Sequence, residues 1–214
     1  MSTRRIVAVT LAVAVLTTTT GCIGFLTGEE SLTFAAEPAG VDESAAQSAG
    51  YATDGPRVVE VNETFTVAGE ERRVVAKNQV NTYEKTLDLG IFEAKLGVFT
   101  VISSPAVEIA GRTLNPIGDY SNRELVGLVQ SRYQGLSDVD EVSSQTITVQ
   151  GQETQVTKYA AVANVEGQEV DVYVHVTKYR DGEDFIVAVG VYPQQLGGEE
   201  GNVLSMMRAI EHPV

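Results

Sequence analysis

Two neighbouring segments near the C-terminus constrain the fold of this chain most. Valines recur at every second position from Val170 to Val176, and apolar residues do so again from Phe185 to Val191. A period of two is typical of β-strands, because successive side chains point to opposite faces. Asp181-Gly182 between the segments favours a tight turn. The pattern predicts two paired antiparallel strands whose register is fixed, since a slip of one residue would move every valine to the other face.

Similar alternation predicts further strands on both sides of this pair. Gly151 and Gly167 separate two more extended segments, Thr146–Gln150 and Thr154–Val165, which complete a four-strand meander. Earlier in the chain we expect an edge strand, a hairpin that turns at Ala68-Gly69, a buried strand, and a short pair that turns at Gly111: Ser31–Phe34, Val58–Val67 with Arg72–Tyr83, Leu96–Ser103, and the residues around Ile109 and Leu114.

Capping residues and apolar stripes predict three helices. Asp42 is a plausible N-cap for a helix that Gly50 ends. Ser121 and Glu124 have the spacing of a capping box, and Gly135 follows as a stop. The apolar face of this second helix is Leu125, Leu128, Val129 and Tyr133. The third begins near Glu199 and Glu200, ends before Pro213, and has the stripe Val203, Leu204, Met207 and Ile210.

Strands and helices are therefore segregated along the chain, which predicts the α+β class. We expect an antiparallel sheet of about six to eight strands, packed with about three helices. Residues 31–214 are enough for one domain with a single core.

The first 21 residues have the layout of an export signal. Arg4 and Arg5 precede an apolar run, Ile6–Leu16, and Gly21-Cys22 follows. The run has 11 residues, whereas a bilayer-spanning helix needs roughly 20. Thr3-Arg4-Arg5 resembles a twin-arginine signal, and Thr19 to Cys22 resembles a lipobox, which implies a lipid on the thiol of Cys22.

This pattern predicts a lipoprotein at the extracellular face of the cell membrane, with residues 22–30 as a tether. The alternatives are a plain signal peptide that is cut nearby and an uncleaved anchor.

The net charge of −14 excludes some partners. Removing Arg4 and Arg5 with the signal makes the charge about −16, which repels nucleic-acid phosphates. No nucleic-acid partner is expected. The acidic surface serves either solubility or adaptation to high salt, and the small number of basic residues favours the second.

Two resemblances extend this interpretation. The Arg4-Arg5 start, Gly21-Cys22, the acidic balance and Leu32–Tyr51 resemble uncharacterised lipoproteins of haloarchaea, which are grouped as a domain of unknown function. The part from Ser121 to Glu199 resembles the PsbP-like fold of photosystem accessory proteins and some bacterial lipoproteins. These resemblances imply an antiparallel sheet between helices, and they imply no catalytic residues.

Several residues are candidates for chemistry, each with an ordinary structural alternative. His175 lies in the middle of a predicted strand without a second His or a Cys to complete a metal site, and His212 is expected in the last turn of the closing helix. The run Asp138–Glu141 is either a Ca²⁺ ligand set or a solvated loop, and we favour the loop because the EF-hand spacing is missing. Asn62 begins an N-glycosylation acceptor pattern. Six tyrosines are either pocket residues or half-buried sheet residues: Tyr83, Tyr133, Tyr159, Tyr173, Tyr179 and Tyr192.

No phosphate-binding loop, nucleophile elbow or metal-ligand spacing occurs in the sequence. We therefore expect no catalytic residue, no metal and no cofactor. The expected function is a non-enzymatic surface module that binds a protein partner. A small-ligand-binding lipoprotein is the alternative, and a hydrolase without a visible motif is the third possibility.

Overall fold

The structure is a computed structural model that describes residues 31–67, 70–88, 93–109, 111–132, 135–165 and 167–214. The predicted export signal, the tether, the turn at Ala68-Gly69 and Tyr133 lie outside the described residues. The strands are β1 Leu32–Ala35, β2 Gly40–Val41, β3 Ala52–Val67, β4 Glu70–Asp88, β5 Glu93–Pro105, β6 Glu108–Ile109, β7 Arg112–Thr113, β8 Leu136–Val149, β9 Gln152–Val165, β10 Gln168–Asp181, β11 Asp184–Pro193 and β12 Ile210–Glu211.

The three predicted helices are confirmed as α1 Glu43–Ala49, α2 Asn122–Arg132 and α3 Glu199–Arg208, and a 3₁₀ turn spans Pro116–Gly118. The Asp42 side chain accepts a hydrogen bond from the amide of Ala45, and Gly50 ends α1 with a φ of 79°. The Glu124 carboxylate accepts from the amide and hydroxyl of Ser121, as the capping box predicts.

The chain divides into two compact units. The first contains the described residues 31–34 and the parts of 60–76 that belong to β3 and β4, where Val61 and Phe65 are half-buried and Asn62 is exposed. The second contains residues 35–59 and 77–214, with all three helices. The prediction of one domain over residues 31–214 stays a prediction.

The strands of the second unit pair in the order β4, β5, β11, β10, β9, β8. The pairings from β4 to β8 are antiparallel, so the predicted meander of the last four strands and the α+β class are confirmed. Val174 lies opposite Val191 on β11 and opposite Tyr159 on β9. Because β10 and β11 are central in this order, neither has an open edge.

Both faces of this central sheet are buried, each against its own set of helical residues. On one face, Phe99 and Ile186 pack in a cluster with Val203 and Met207 of α3. On the other face, the even-numbered valines of β10 pack in a cluster with Leu125 and Val126 of α2. Burial on both sides explains why β11 is apolar at nearly every position rather than alternating with polar residues.

Three details of the predicted elements are wrong. Asp138–Glu141 belongs to the extended strand β8 rather than to a loop, because β8 begins at Leu136. Leu128 is 38% exposed, while its neighbour Val126 is buried, so the apolar face of α2 is rotated from the predicted stripe. The closing helix ends at Arg208, and Ile210 instead begins β12, which pairs with β2.

Candidate functional site

His212 lies between two carboxylates at the end of the β10–β11 hairpin. Its Nδ1 is 2.9 Å from Asp181 Oδ2, and its Nε2 is 3.1 Å from Asp184 Oδ2. Both ring nitrogens can donate at once only in the imidazolium form, in which each N–H meets an acceptor. The predicted position in the last turn of a helix is wrong, because α3 ends before β12 and His212 follows that strand. The contacts instead tie the C-terminal segment to the hairpin.

Hydrogen bonds around His212 reinforce this attachment. Asp184 Oδ2 also accepts from the Glu37 amide, at 2.9 Å. The His212 carbonyl accepts from the side-chain amide of Gln150, whose oxygen accepts from the hydroxyl of Tyr179. The side chains of His212 and Asp184 are 6% and 7% exposed, whereas that of Asp181 is 31% exposed. Asp184 is therefore the more deeply buried of the two carboxylates.

An open depression of about 410 Å³ surrounds this group. Four of its lining residues are acidic and none is Lys or Arg: the lining consists of Ala35, Glu37, Asp181, Gly182, Glu183, Asp184, His212 and Pro213. Its volume falls within the range of small-ligand sites, which is about 300–1,000 Å³. The lining would attract a cationic group.

Ser103 completes a serine, histidine and aspartate set at this position. Its Oγ is 3.5 Å from His212 Nε2, but Asp184 Oδ2 is nearer to the same nitrogen. Ser103 is fully buried, so its hydroxyl does not face the solvent from which a substrate would arrive. A base for a serine nucleophile needs a nitrogen that accepts the hydroxyl proton. With Nε2 held by Asp184, the geometry supports attachment of the C-terminus rather than nucleophilic chemistry.

His175 is the second buried histidine, and its surroundings are different. Its side chain is fully buried on β10, with Nε2 3.0 Å from the Tyr192 hydroxyl and the two rings stacked. Nδ1 has no hydrogen-bond partner among the described residues. Burial lowers the pKa of His175 to about 4, so the ring is neutral at pH 7. Burial, helped by the Glu200 carboxylate, raises the pKa of Tyr192.

The first turn of α3 carries a buried carboxylate beside these residues. Glu199 is 4% exposed, and its Oε2 accepts from Lys85 Nζ at 2.8 Å. Burial and this carboxylate raise the pKa of Tyr51. The other carboxylate oxygen, Oε1, and the Tyr51 hydroxyl have no hydrogen-bond partner among the described residues. The absence of a side chain at Gly97 makes room for Tyr51, because a Cβ there would overlap its hydroxyl.

The neighbouring Glu200 makes a second ion pair. Its Oε2 accepts from Lys158 Nζ at 2.7 Å, and that ammonium lies 3.8 Å from the centre of the Tyr173 ring. The two glutamates therefore begin the helix, as predicted, and also bind two lysines on the sheet. These contacts assign both glutamates to holding α3 on the sheet.

The remaining predicted site residues do not join either cluster. In the described ranges, no group of three or more His, Cys, Asp or Glu side chains is arranged to hold a metal ion. Asn62 is exposed on β3, which leaves its side-chain amide accessible. Arg4, Arg5 and Cys22 lie outside the described residues. No helix of the described residues is long and apolar enough to cross a membrane.

Sequence reasoning did not identify Asp181, Asp184, Tyr51 or Lys85 as site residues. Asp181 and Asp184 flank a hairpin turn, where aspartate is common because its side chain hydrogen-bonds to nearby backbone. Their presence in the sequence therefore did not indicate a contact with a distant residue. Only pairing of the C-terminal segment with β2, which leaves His212 beside the hairpin, brings the three residues together.

Two solved structures are similar to this chain. One is cyanobacterial PsbP (CyanoP) from Synechocystis sp. PCC 6803, with 12% identity, coverage of 83% of this chain and 93% of that chain, and a TM-score of 0.43. The other is PA94 from Pseudomonas aeruginosa, described as a protein of unknown function and putative regulator, with 10% identity, coverage of 72% and 99%, and a TM-score of 0.38. No curated protein matches the sequence.

One family model covers most of the chain. It matches residues 38–211, which include all three helices and the central sheet. Asp181 and Asp184 lie inside the matched range, whereas Glu37 and His212 lie just outside it. The chain therefore belongs to the family described as domain of unknown function DUF6517.

Proposed function

We propose that this protein is an exported lipoprotein, held at the extracellular face of the cell membrane through a lipid on Cys22. The observation that carries the proposal is Gly21-Cys22 directly after an apolar run that Arg4 and Arg5 precede. Each buried CH₂ contributes about 0.8 kcal/mol, and two acyl chains hold a protein stably where one is marginal. A two-chain modification would therefore anchor even this acidic protein without a basic patch.

The folded part of this proposed lipoprotein is a non-enzymatic module that binds a protein partner. The contacts of the two histidines support the non-enzymatic part of this role. Both ring nitrogens of His212 face carboxylates, and His175 is fully buried with a lowered pKa. The buried glutamate of α3 is likewise engaged by Lys85. These titratable groups stabilise contacts between elements, whereas a general acid or base must reach its substrate.

Replacing the proposed lipid acceptor tests the anchor. We expect Cys22→Ser to leave the membrane fraction, or to retain its signal, and to lack the mass of the lipid. Thr19→Leu is the matched variant, because the usual lipobox has Leu three residues before the cysteine, and it should be lipidated at least as fully as the wild type. Fractionation of cells and intact mass measure both. An unchanged mass and unchanged membrane retention of Cys22→Ser would exclude the lipid anchor.

Export by the twin-arginine route is tested separately. Lys cannot reproduce the planar guanidinium group of Arg, so replacing Arg4 and Arg5 together by Lys should block export. Normal export of this double variant would indicate the general secretion route.

Crosslinking on intact cells tests whether the module binds a protein partner. Recovery of this chain alone, without a crosslinked protein, would count against the module.

A second candidate function rests on the depression around His212. Its volume of about 410 Å³ and its acidic lining suit a small cationic ligand. Ligand binding raises apparent stability with the logarithm of the ligand concentration relative to its dissociation constant. A thermal-shift series with spermidine, arginine and matched uncharged compounds would show a selective rise for the cations if the depression binds them, and equal responses would exclude this function.

A further inference from the structure

The strand β8 has an open edge in the described part of the chain. It pairs with β9 on one side and ends the strand order of the sheet. An open edge presents unpaired N–H and C=O groups to any extended segment that reaches it. Side chains along β8 are exposed from Asp140 to Thr146 and at Thr148, so neither face of this strand is covered at those positions.

The two halves of β8 differ in how they are protected against pairing. In the first half, the register with β9 shifts between Ser137 and Asp140 and again between Glu141 and Ser143, and Asp138 has a φ of 50°. Irregularities and charges of this kind are how proteins protect edge strands. From Ser143 to Val149 the register is regular, and the segment contains no charge, no Pro and no Gly. This second half has none of those protections.

We propose that the segment Ser143–Val149 pairs with the same segment of a second copy, as an antiparallel two-fold interface that joins the two sheets. A two-fold pairing about Thr146 places Ser144 opposite Thr148 of the copy, and Ser143 opposite Val149. Serine and threonine pairs across strands contribute favourable hydrogen bonds. The proposal goes beyond the surface module, because it depends on neither the lipid nor a partner of different sequence.

Charge selects a second copy for this edge. The chain has a net charge of −14, so two copies repel each other wherever their acidic surfaces meet. In the two-fold register, neutral side chains face neutral side chains over seven consecutive residues, Ser143–Val149. Asp140 and Glu141 then lie beyond the end of the copy's β8, near its turn at Gln150 and Gly151, so they oppose no carboxylate of that strand. The interface is therefore placed where like charges are fewest on this strand.

Single cysteines test the register in the full chain with Cys22→Ser, which otherwise contains no cysteine. Thr146→Cys places the new thiol opposite itself, at a Cα separation of about 5 Å that a disulfide can join. Thr148→Cys is the matched control, on the same face and two residues away, but its copies would lie about 14 Å apart. We expect a disulfide-linked dimer from Thr146→Cys under mild oxidation and monomer from Thr148→Cys.

Sedimentation equilibrium of the chain with Cys22→Ser gives an independent measurement. We expect a dimer whose dissociation constant falls when salt rises from about 0.1 M to 1 M, because the Debye length shortens from about 10 Å to 3 Å. Thr146→Lys opposes two charges directly and should weaken the dimer at least tenfold, whereas Thr148→Lys should weaken it less. A monomer at both salt concentrations, equal crosslinking at 146 and 148, or equal effects of the two lysines would overturn the proposal.

Discussion

The two histidines of this protein lie in contrasting surroundings, although the side chains of both are largely excluded from solvent. His212 lies at the margin of the fold, where Asp181 and Asp184 accept from its two ring nitrogens. His175 lies in the middle of β10, where the Tyr192 hydroxyl contacts one ring nitrogen and the other has no partner among the described residues. The His175 residue is fully buried, whereas the His212 side chain is 6% exposed and contacts two carboxylates.

This contrast shows that burial alone does not determine the role of an imidazole. Desolvation disfavours the charged ring, whereas a nearby carboxylate favours it. At His175 desolvation prevails, and the pKa falls to about 4. At His212 each ring nitrogen instead lies within hydrogen-bond distance of a carboxylate oxygen. The first histidine therefore behaves as a core residue, and the second holds the C-terminal segment through its contacts with Asp181 and Asp184.

The largest effect is expected from removing the imidazole at His212. His212→Ala leaves Asp184, which is 5% exposed, with the Glu37 amide as the remaining donor to its side chain among the described residues. Leaving a buried polar group without its hydrogen-bond partner typically costs about 1–3 kcal/mol, and more for a charged group. We expect a loss of that order in the free energy of unfolding, measured by urea denaturation.

The two aspartates provide the control for this prediction. Asp184→Asn should destabilise the protein more than Asp181→Asn, because the side chain of Asp181 is 31% exposed and solvent screens its interaction. Equal losses from both substitutions, or a loss below about 1 kcal/mol from His212→Ala, would show that the contacts of His212 resemble an ordinary surface ion pair.

The same contrast explains which parts of the structure could be predicted from sequence. The environment of His175 follows from local periodicity, because alternation along β10 determines its face and the adjoining β11 supplies Tyr192. The environment of His212 depends on Asp181, which lies 31 positions earlier in the chain. It also depends on α3 ending at Arg208, four residues before His212. Such long-range placement leaves no periodic signal. Similarly, Asp138–Glu141 resembles a loop by composition, and only pairing with β9 makes it a strand.

Acid is expected to lower the stability of the fold through His175. Its folded pKa of about 4 lies below the ordinary value of 6.5, so the unfolded chain binds the proton first as pH falls. The contribution of the neutral ring to stability is complete above about pH 6.5 and is lost as pH falls towards about 4. Between pH 7 and pH 5 this linkage amounts to about 2 kcal/mol. Urea denaturation of the wild type and His175→Phe at both pH values measures it. A loss of equal size in the variant would exclude His175 as its source.

The smallest effect is expected when His175 and Tyr192 are both replaced by Phe. Either single replacement leaves one buried polar group of the pair without its partner, which costs about 1–3 kcal/mol. The double replacement removes both polar groups and also the unpartnered Nδ1, so the stacked pair becomes apolar, and loss of the Tyr192 hydroxyl frees some space for the larger ring at 175. Removing both partners of a buried hydrogen bond can be nearly neutral. We therefore expect the double variant to be more stable at pH 7 than Tyr192→Phe alone, and within about 1 kcal/mol of the wild type. If the double variant instead lost the sum of the two single-variant free energies of unfolding, the two residues would not be coupled. The hydrogen bond to Tyr192 would then not explain why His175 is buried in the core.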